Sequence, residues 1–218
     1  MILLERNTSQ ELTKISAALR RHQIKGFLSD EEGRCLFESV LAASANAPVL
    51  EIGSYCGRST AFLAAAAKQK NTLVYALDHH RGSEEHQPGH GYCDLALVNE
   101  AGEFDTLPTF RQTLKALDIQ QVVCPLLFES TLLAPHWDTP LSLIFIDGGH
   151  SFDQAFNDLN LWSKKLTESG RILMHDIYPE GSGEGQAPRQ ALERFLKEGM
   201  GQWQTRKLYG SIVEIYRP

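Results

Sequence analysis

Acidic and histidine side chains occur together in two short segments of the sequence. Asp147 and His150 are separated by two glycines after one apolar run, and His175 precedes Asp176 after another. Two carboxylates and an imidazole can hold a divalent metal, Mg²⁺ or a transition metal, with positions left open for substrate oxygens. Such a metal lowers the pKa of a bound hydroxyl, and a neutral His150 can then accept the proton. Ordinary turn and cap residues are the alternative, but the two segments together favour a site.

A glycine turn runs from Glu51 to Thr60, between an apolar run and an alanine-rich run. The order of strand, glycine turn and helix lets a ligand approach the backbone closely, because glycine has no side chain. A dinucleotide turn has the spacing Gly-x-Gly-x-x-Gly, and Tyr55 stands where its second glycine would be. A pyrophosphate needs that glycine, whereas S-adenosylmethionine carries no phosphate. The spacing therefore favours S-adenosylmethionine over a dinucleotide.

Asp78 ends the next apolar run and lies 25 residues after Gly53. In a nucleoside-binding sheet, an acid at this place accepts hydrogen bonds from both ribose hydroxyls. A turn or cap aspartate is the alternative. The histidines that follow have a spacing that matches no standard tetrahedral metal motif, so substrate contact or a solvated loop is favoured over metal ligation. These histidines are His79, His80, His86 and His90.

The elements that must position these side chains alternate between strands and helices. This alternation predicts an α/β fold with a mostly parallel sheet covered by helices on both faces. Apolar runs predict strands at 48–50, 73–77, 121–124, 141–146 and 170–174, helices at 61–68, 152–166 and 187–198, and a two-stranded hairpin at 203–216. We therefore expect a Rossmann-like sheet of seven strands in which the C-terminal hairpin is antiparallel.

The rest of the chain is expected to extend or interrupt this sheet. Residues 8–45 predict two helices, the second beginning near Ser29, so we expect one domain, 1–218, with a helical N-terminal extension (1–45) and a core (46–218). Polar loops at 79–104 and 179–188 follow strands that end in acidic residues. In an open α/β sheet, ligands bind at that edge, so these loops are expected to contact the substrate.

The composition excludes several classes of protein. The chain has 218 residues, 42% of them hydrophobic, and a formal net charge of −6. Its length suits one α/β domain, and its acidic balance argues against nucleic acid as a partner. No apolar run approaches the roughly 18 residues that span a membrane, and the N-terminus does not look like a signal peptide. The four cysteines lack a C-x-x-C spacing, which suits a reducing compartment, so we expect a cytoplasmic protein.

At these residues the chain resembles the class I S-adenosylmethionine-dependent methyltransferases, over roughly residues 48–178. Segment 51–59 is very similar to the first motif of the catechol O-methyltransferase group. Segments 147–150 and 174–176 are similar to the macrocin O-methyltransferase and cephalosporin-hydroxylase-type branch. The resemblance implies methyl transfer to a small molecule, with oxygen as the expected acceptor atom. Related enzymes often dimerise, so a homodimer is also expected.

The resemblance also implies a role for each matching residue. The methionine part of the cofactor would be held by the turn, that is by Glu51, Gly53, Ser54, Tyr55, Gly57 and Ser59. The ribose would contact Asp78, and the adenine would lie near Glu129 and Ser130. Asp147 would border the cofactor and, with His175 and Asp176, bind the metal. His150 occupies the position of the general base, which is lysine in the catechol enzymes and histidine in macrocin-type enzymes.

One residue departs from the pattern of those relatives. His175 stands where they carry an acid, and imidazole suits Mn, Fe, Ni or Zn better than Mg²⁺. Either the metal differs, or His175 is not a ligand, or the site works without a metal. Two other functions also remain open from the residues alone: an NAD(P)-linked oxidoreductase on the same kind of sheet, and a non-catalytic cofactor- or metal-binding protein that uses the histidine-rich loop.

Overall fold

The computed structural model describes residues 2–43, 46–87, 89–182 and 185–218, with side chains from residue 8 onward. The chain begins with two helices, α1 (Ile2–Arg21) and α2 (Asp30–Ala42). The strands are β1 (Val49–Ile52), β2 (Val74–Leu77), β3 (Val123–Leu126), β4 (Leu141–Ile146), β5 (Leu166–Met174), β6 (Gln204–Lys207) and β7 (Val213–Tyr216). The remaining helices are α3 (Arg58–Gln69), α4 (Leu107–Ala116), α5 (Ser130–Leu133), α6 (Phe152–Trp162) and α7 (Ala187–Glu198).

All seven strands form one sheet in the order β3-β2-β1-β4-β5-β7-β6. Strands β1 to β5 are parallel, and β7 is antiparallel to both of its neighbours, β5 and β6. The predicted fold class is therefore confirmed. Chain order reverses between β1 and β4, which is where open α/β sheets bind ligands. Because Ile52 pairs with both Leu77 and Ile146, the residues that follow these three strands emerge side by side.

Helices cover both faces of the sheet, and each face has its own core. One core contains Phe37 from α2 and Phe62 from α3, both fully buried, so the N-terminal helices share a core with the sheet. The other contains Trp162 and Phe195, from α6 and α7. Trp162 is fully buried, so it serves the packing of this core. In the part of the chain that the structure describes, no helix is both long and apolar enough to cross a bilayer.

Some boundaries differ from the expectation, and two helices, α4 and α5, were not predicted. Helix α4, of which Phe110, Thr113 and Leu114 are buried, lies in a stretch to which no helix was assigned from the sequence. Strand β3 begins two residues later than expected; it lies at the sheet edge, where Pro125 is tolerated. Helix α6 ends at Trp162, and β5 begins at Leu166. Its pairing with β4 shifts in register between Leu166 and Arg171.

The two long loops lie only partly within the described residues. Loop 79–104 contains two single-turn 3₁₀ helices and a bridge between Val98 and Phe104, and its residue 88 is outside the described part. Of the predicted loop 179–188, residues 183–184 are outside it, as are residues 1, 44 and 45 of the predicted helical extension.

Candidate active site

Two adjoining cavities open where β1, β2, β4 and β5 end. The larger has a volume of about 430 Å³ and is lined by the glycine turn, by segments after β4 and β5, and by residues 25–28 before α2. The smaller has a volume of about 130 Å³ and is lined by segments after β2, β3 and β4. Gly53, Tyr55, Asp147 and Gly148 line both cavities, so the glycine turn lies at their boundary.

The glycine turn passes against the end of β4. Gly53 has φ +86°, and a Cβ atom on it would lie 2.1 Å from the carbonyl oxygen of Asp147. Only glycine fits this position, because both the space and the dihedral angle exclude a side chain. Gly57 instead faces α4, where a Cβ atom would lie 3.0 Å from Thr113 Cγ2. Of these two glycines, Gly53 borders the cavities, whereas Gly57 serves the packing of the turn.

Asp78 holds the turn through main-chain hydrogen bonds. The backbone N–H groups of Ser54 and Tyr55 donate to Asp78 Oδ2 at 2.9 and 2.8 Å, and that of His80 donates to Oδ1 at 2.7 Å. Its side chain still lines the smaller cavity and is 15% exposed. Each carboxylate oxygen can accept more than one hydrogen bond, so Asp78 can shape the turn and also receive a ribose hydroxyl.

Glu51 lies behind the turn and is fully buried. Thr60 Oγ1 donates to Glu51 Oε2 at 2.5 Å, whereas Oε1 has no hydrogen-bond partner among the described residues. Burial raises the pKa of Glu51 to about 7, although hydroxyl groups of Ser59, Thr60 and Ser54 oppose this rise. Ser54 and Ser59 line the larger cavity, whereas Glu51 does not. The carboxylate of Glu51 therefore lies behind the side chains that contact the cavity.

A chain of hydrogen-bonded polar groups borders the smaller cavity. Trp162 Nε1 donates to Ser130 Oγ at 2.7 Å, and Ser130 Oγ donates to Asp158 Oδ1. Burial raises the pKa of Asp158 to about 6, against the effect of the Ser130 hydrogen bond. Ser130, which the resemblance places near the adenine, lines the smaller cavity. Glu129 is 43% exposed in its side chain and instead faces His79 and Arg81, with closest N···O distances of 3.7 Å.

Asp147, His175 and Asp176 form a compact group at the larger cavity, here named the acid–histidine cluster. Nδ1 of His175 lies 3.0 Å from Asp147 Oδ1 and 3.3 Å from Asp176 Oδ1. One potential ligand atom from each residue lies within 4.8 Å of the others. Neighbouring ligands of an octahedral ion with bonds of about 2.1 Å are about 3 Å apart, so these spacings fit a metal site.

Glu32, from the first turn of α2, completes the surroundings of His175. Its Oε1 lies 3.3 Å from His175 Nε2 and accepts the backbone N–H of Ser211 at 3.1 Å. Burial alone would lower the pKa of His175, but the carboxylates of Asp147, Asp176 and Glu32 raise it well above its ordinary value. Without a metal, the three carboxylates therefore favour the protonated form of the ring. A carboxylate on the outer nitrogen is also the usual partner of a metal-binding histidine.

His150 connects the segment after β4 to two carboxylates. Its Nδ1 lies 2.7 Å from Glu85 Oε1, and its Nε2 lies 2.9 Å from Asp176 Oδ2. The hydrogen bond with Asp176 raises the pKa of His150 to about 9, against the opposing effect of burial. Tyr178 donates its hydroxyl to Asp176 Oδ1 at 2.9 Å. In this arrangement the ring is protonated near neutral pH, whereas a general base must be neutral.

Aromatic rings form one wall of the larger cavity. Phe27 and Tyr92 are 67% and 61% exposed, and their ring centroids are 6.1 Å apart. Phe27 also lies 5.6 Å from Tyr55, which lies 5.7 Å from His86. We name Phe27, Tyr55, His86 and Tyr92 the aromatic wall. Two large apolar side chains exposed at a cavity are typical of a binding surface.

Several of these residues were not found from the sequence. Glu32 lies at the helix start that is predicted near Ser29, and it forms a capping box with Ser29. Its contact with His175 depends on the tertiary fold. Glu85, Tyr178 and Phe27 lie in loops with no readable motif. Of the described part of the histidine-rich loop, His80 is buried and bonded to Thr106 Oγ1 at 2.7 Å, and no metal-binding group occurs there.

Comparison with known proteins identifies the family. Residues 50–177 match the family described as a methyltransferase domain. The S-adenosylhomocysteine-bound methyltransferase PaMTH1 of Podospora anserina is 13% identical, with 100% of this chain and 96% of that chain covered and a TM-score of 0.66. The O-methyltransferase TomG of Streptomyces achromogenes, solved with S-adenosylmethionine, is 15% identical, with 95% and 89% covered and a TM-score of 0.64.

A third similar structure is the O-methyltransferase of Bacillus cereus in complex with S-adenosylhomocysteine. It is 17% identical, with 95% of this chain and 91% of that chain covered and a TM-score of 0.62. At such identities the solved structures establish the shared fold, whereas the family match covers more than half of the chain. That match sets aside the oxidoreductase and the non-catalytic binding protein. The chain belongs to this methyltransferase family, and the predicted class I S-adenosylmethionine-dependent methyltransferase is confirmed.

Proposed function

We propose that this protein transfers the methyl group of S-adenosylmethionine to a hydroxyl oxygen of a small molecule. One observation carries the proposal: the glycine turn and the acid–histidine cluster line the same cavity of about 430 Å³. A methyl donor held by the turn would then lie beside the side chains that can bind and deprotonate an acceptor. Holding both reactants in one closed space removes most of the entropic cost of their encounter.

The cofactor would extend across both cavities. Its methionine part would lie against Gly53, Ser54 and Ser59 in the larger cavity, with Glu51 behind them. Its ribose would contact Asp78, and its base would occupy the smaller cavity beside Ser130. Tyr55 and Asp147 line both cavities, so the sulfonium would lie near them and the methyl group would face the larger cavity.

The acceptor would bind between the aromatic wall and His150. A ring or other flat apolar body would pack on Phe27 and Tyr92, and its hydroxyl would replace one carboxylate contact of His150. The neutral imidazole would take the hydroxyl proton while the oxygen attacks the methyl carbon in line with the breaking C–S bond. The products are the methyl ether, S-adenosylhomocysteine and a protonated His150, which releases its proton to solvent.

We propose Asp147, His175 and Asp176 as the residues that would hold a divalent metal. The donor set of two carboxylates and one imidazole suits Mn²⁺, Fe²⁺ or Zn²⁺ better than Mg²⁺. A metal there would lower the pKa of the acceptor hydroxyl. Glu32 would keep the proton of His175 on Nε2, which leaves Nδ1 facing the two carboxylates.

We also propose that residues 1–45 and 46–218 act as one domain. Phe37 packs in the same core as Phe62, and Glu32 reaches the acid–histidine cluster, so the described part of the N-terminal extension completes the site. A homodimer remains a prediction from the resemblance, and light scattering of the purified protein would decide it.

Calorimetric titration with S-adenosylhomocysteine tests this function, with the protein in EDTA, in Mg²⁺ and in Mn²⁺. We expect S-adenosylhomocysteine to bind with micromolar affinity in all three solutions. When the metals themselves are titrated into the protein, we expect Mn²⁺ to bind more tightly than Mg²⁺. His150→Gln should retain the wild-type affinity for S-adenosylhomocysteine and lose at least 100-fold in methyl transfer to a phenolic or alcohol acceptor panel. Absence of cofactor binding would overturn the proposal, and an unchanged rate in His150→Gln would remove the role of His150 as base.

A further inference from the structure

We propose that Asp158 recognises the 6-amino group of adenine and so sets the nucleoside preference of this protein. The assignment rests on the proposed function, since it concerns the cofactor bound in the smaller cavity. The structure places a carboxylate oxygen of a buried aspartate against that cavity.

The first observation is the environment of Asp158. It lies on α6, is only 4% exposed, and lines the smaller cavity together with Ser130 and Gly148. A Cβ atom on Gly148 would lie 3.6 Å from Asp158 Oδ2, so no side chain at position 148 separates the carboxylate from the cavity. A carboxylate this deeply buried is costly unless donors satisfy it.

The second observation is that only one of the two carboxylate oxygens is satisfied. Trp162 Nε1 donates to Ser130 Oγ at 2.7 Å, so the single hydroxyl proton of Ser130 is free to point at Asp158 Oδ1. No hydrogen bond to Oδ2 is formed by the residues that the structure describes. Trp162 and Ser130 therefore fix the orientation of the carboxylate and leave its second oxygen for a donor from the cavity.

The third step is the chemistry of the base. The hydrogen-bonding edge of adenine carries one donor group, the exocyclic 6-amine, while its ring nitrogens are acceptors. A fixed carboxylate oxygen therefore matches this amine. In hypoxanthine an oxygen replaces the amine, and two acceptors would then face each other. Asp158 thus favours adenosine over inosine cofactors.

The test compares S-adenosyl-L-homocysteine with S-inosyl-L-homocysteine by calorimetric titration at pH 8. For the wild-type protein we expect about 100-fold tighter binding of the adenosine ligand, the worth of one hydrogen bond to a charged group. Asp158→Asn presents an amide that can donate to the inosine oxygen, so the preference should fall at least tenfold. Asp153→Asn, an exposed aspartate on the same helix, is the matched control and should keep the wild-type ratio.

The ratio of the two affinities separates recognition from support of the fold. A purely structural Asp158 would weaken both ligands equally in Asp158→Asn, and an unchanged ratio would overturn the assignment. Equal affinities in the wild-type protein would also overturn it. Ser130→Ala keeps the carboxylate but removes the donor that orients it, so it should narrow the preference even if Asp158→Asn does not fold. Binding of neither ligand by the wild-type protein would overturn the proposed function and this assignment together.

Discussion

The glycine turn and the acid–histidine side of the larger cavity are built from different kinds of groups. The turn is shaped by main-chain contacts, where Asp78 accepts backbone N–H groups of Ser54, Tyr55 and His80. The acid–histidine side depends on carboxylate and imidazole side chains that come from distant segments, namely Glu32, Glu85, Asp147, His150, His175 and Asp176. A main-chain site tolerates few substitutions but is rigid, whereas a side-chain site can be altered one group at a time.

The largest expected effect comes from the main chain of the glycine turn. Gly53→Ala places a Cβ atom 2.1 Å from the Asp147 carbonyl oxygen at φ +86°. We expect a loss of about 3 kcal/mol or more in the free energy of unfolding, measured with urea, together with loss of S-adenosylhomocysteine binding. Gly102→Ala is the control, since Gly102 has φ +79° but no neighbour within 4 Å, and should cost about 1 kcal/mol. Equal losses in the two variants would contradict the close contact between β1 and β4.

Substitution of Glu51 gives the next largest effect, and it should increase the free energy of unfolding rather than decrease it. Because burial raises its pKa from 4.5 to about 7, the folded protein binds the Glu51 proton more tightly than the unfolded chain does. Stability is therefore lost as pH rises from about 4.5 to about 7, and the whole cost is present above that window. Glu51→Gln should raise the free energy of unfolding by about 3 kcal/mol at pH 8 and leave it nearly unchanged at pH 4.5.

The control for this experiment is Glu168→Gln, which changes an exposed glutamate of β5. It should shift the free energy of unfolding by less than about 0.5 kcal/mol at either pH. A Glu51→Gln variant that is less stable than the wild-type protein at pH 8 would show that the hydroxyl groups around Glu51 fully offset its burial.

The smallest effect on the free energy of unfolding is expected for the side chains around His150. Glu85→Gln removes one of the two carboxylates that contact His150, both partly exposed, so stability should change by less than about 1 kcal/mol. The pKa of His150 should fall below its value of about 9, measured by NMR titration of the metal-free protein in EDTA. Glu84→Gln, an exposed neighbour, should leave that pKa unchanged. An equal pKa in both variants would show that the contact between Glu85 and His150 does not form in solution.

The same difference explains what could be predicted from the sequence. The turn from Glu51 to Thr60 has a local spacing that favours one class of ligand, and strand ends in a parallel sheet must meet at one edge. The fold, and the grouping of Asp147, His175 and Asp176, followed from these two facts. Glu32 and Glu85 could not be found in this way, because nothing local relates a helix cap or a loop glutamate to a histidine more than 60 residues away.

Elements without a continuous apolar run were missed for a related reason. Helix α4 buries Phe110, Thr113 and Leu114 at helical spacing and exposes most of its other residues, so no apolar run marks it. In the sequence, Asp158 looks like an ordinary helix residue. Only the fold brings its carboxylate into a hydrogen bond with Ser130 and close to Gly148. What remains hidden in the sequence is the pairing of polar groups between segments.

The position of Glu32 and of residues 25–28 has a consequence for how such a protein can diverge. They lie before residue 50, outside the segment that matches the family, yet they supply one side of the larger cavity and the outer partner of His175. Substitutions there can alter which acceptor fits without touching the turn that holds the methyl donor. Two proteins that share the family-matching segment can therefore differ in substrate. A comparison confined to that segment would not reveal the difference in substrate.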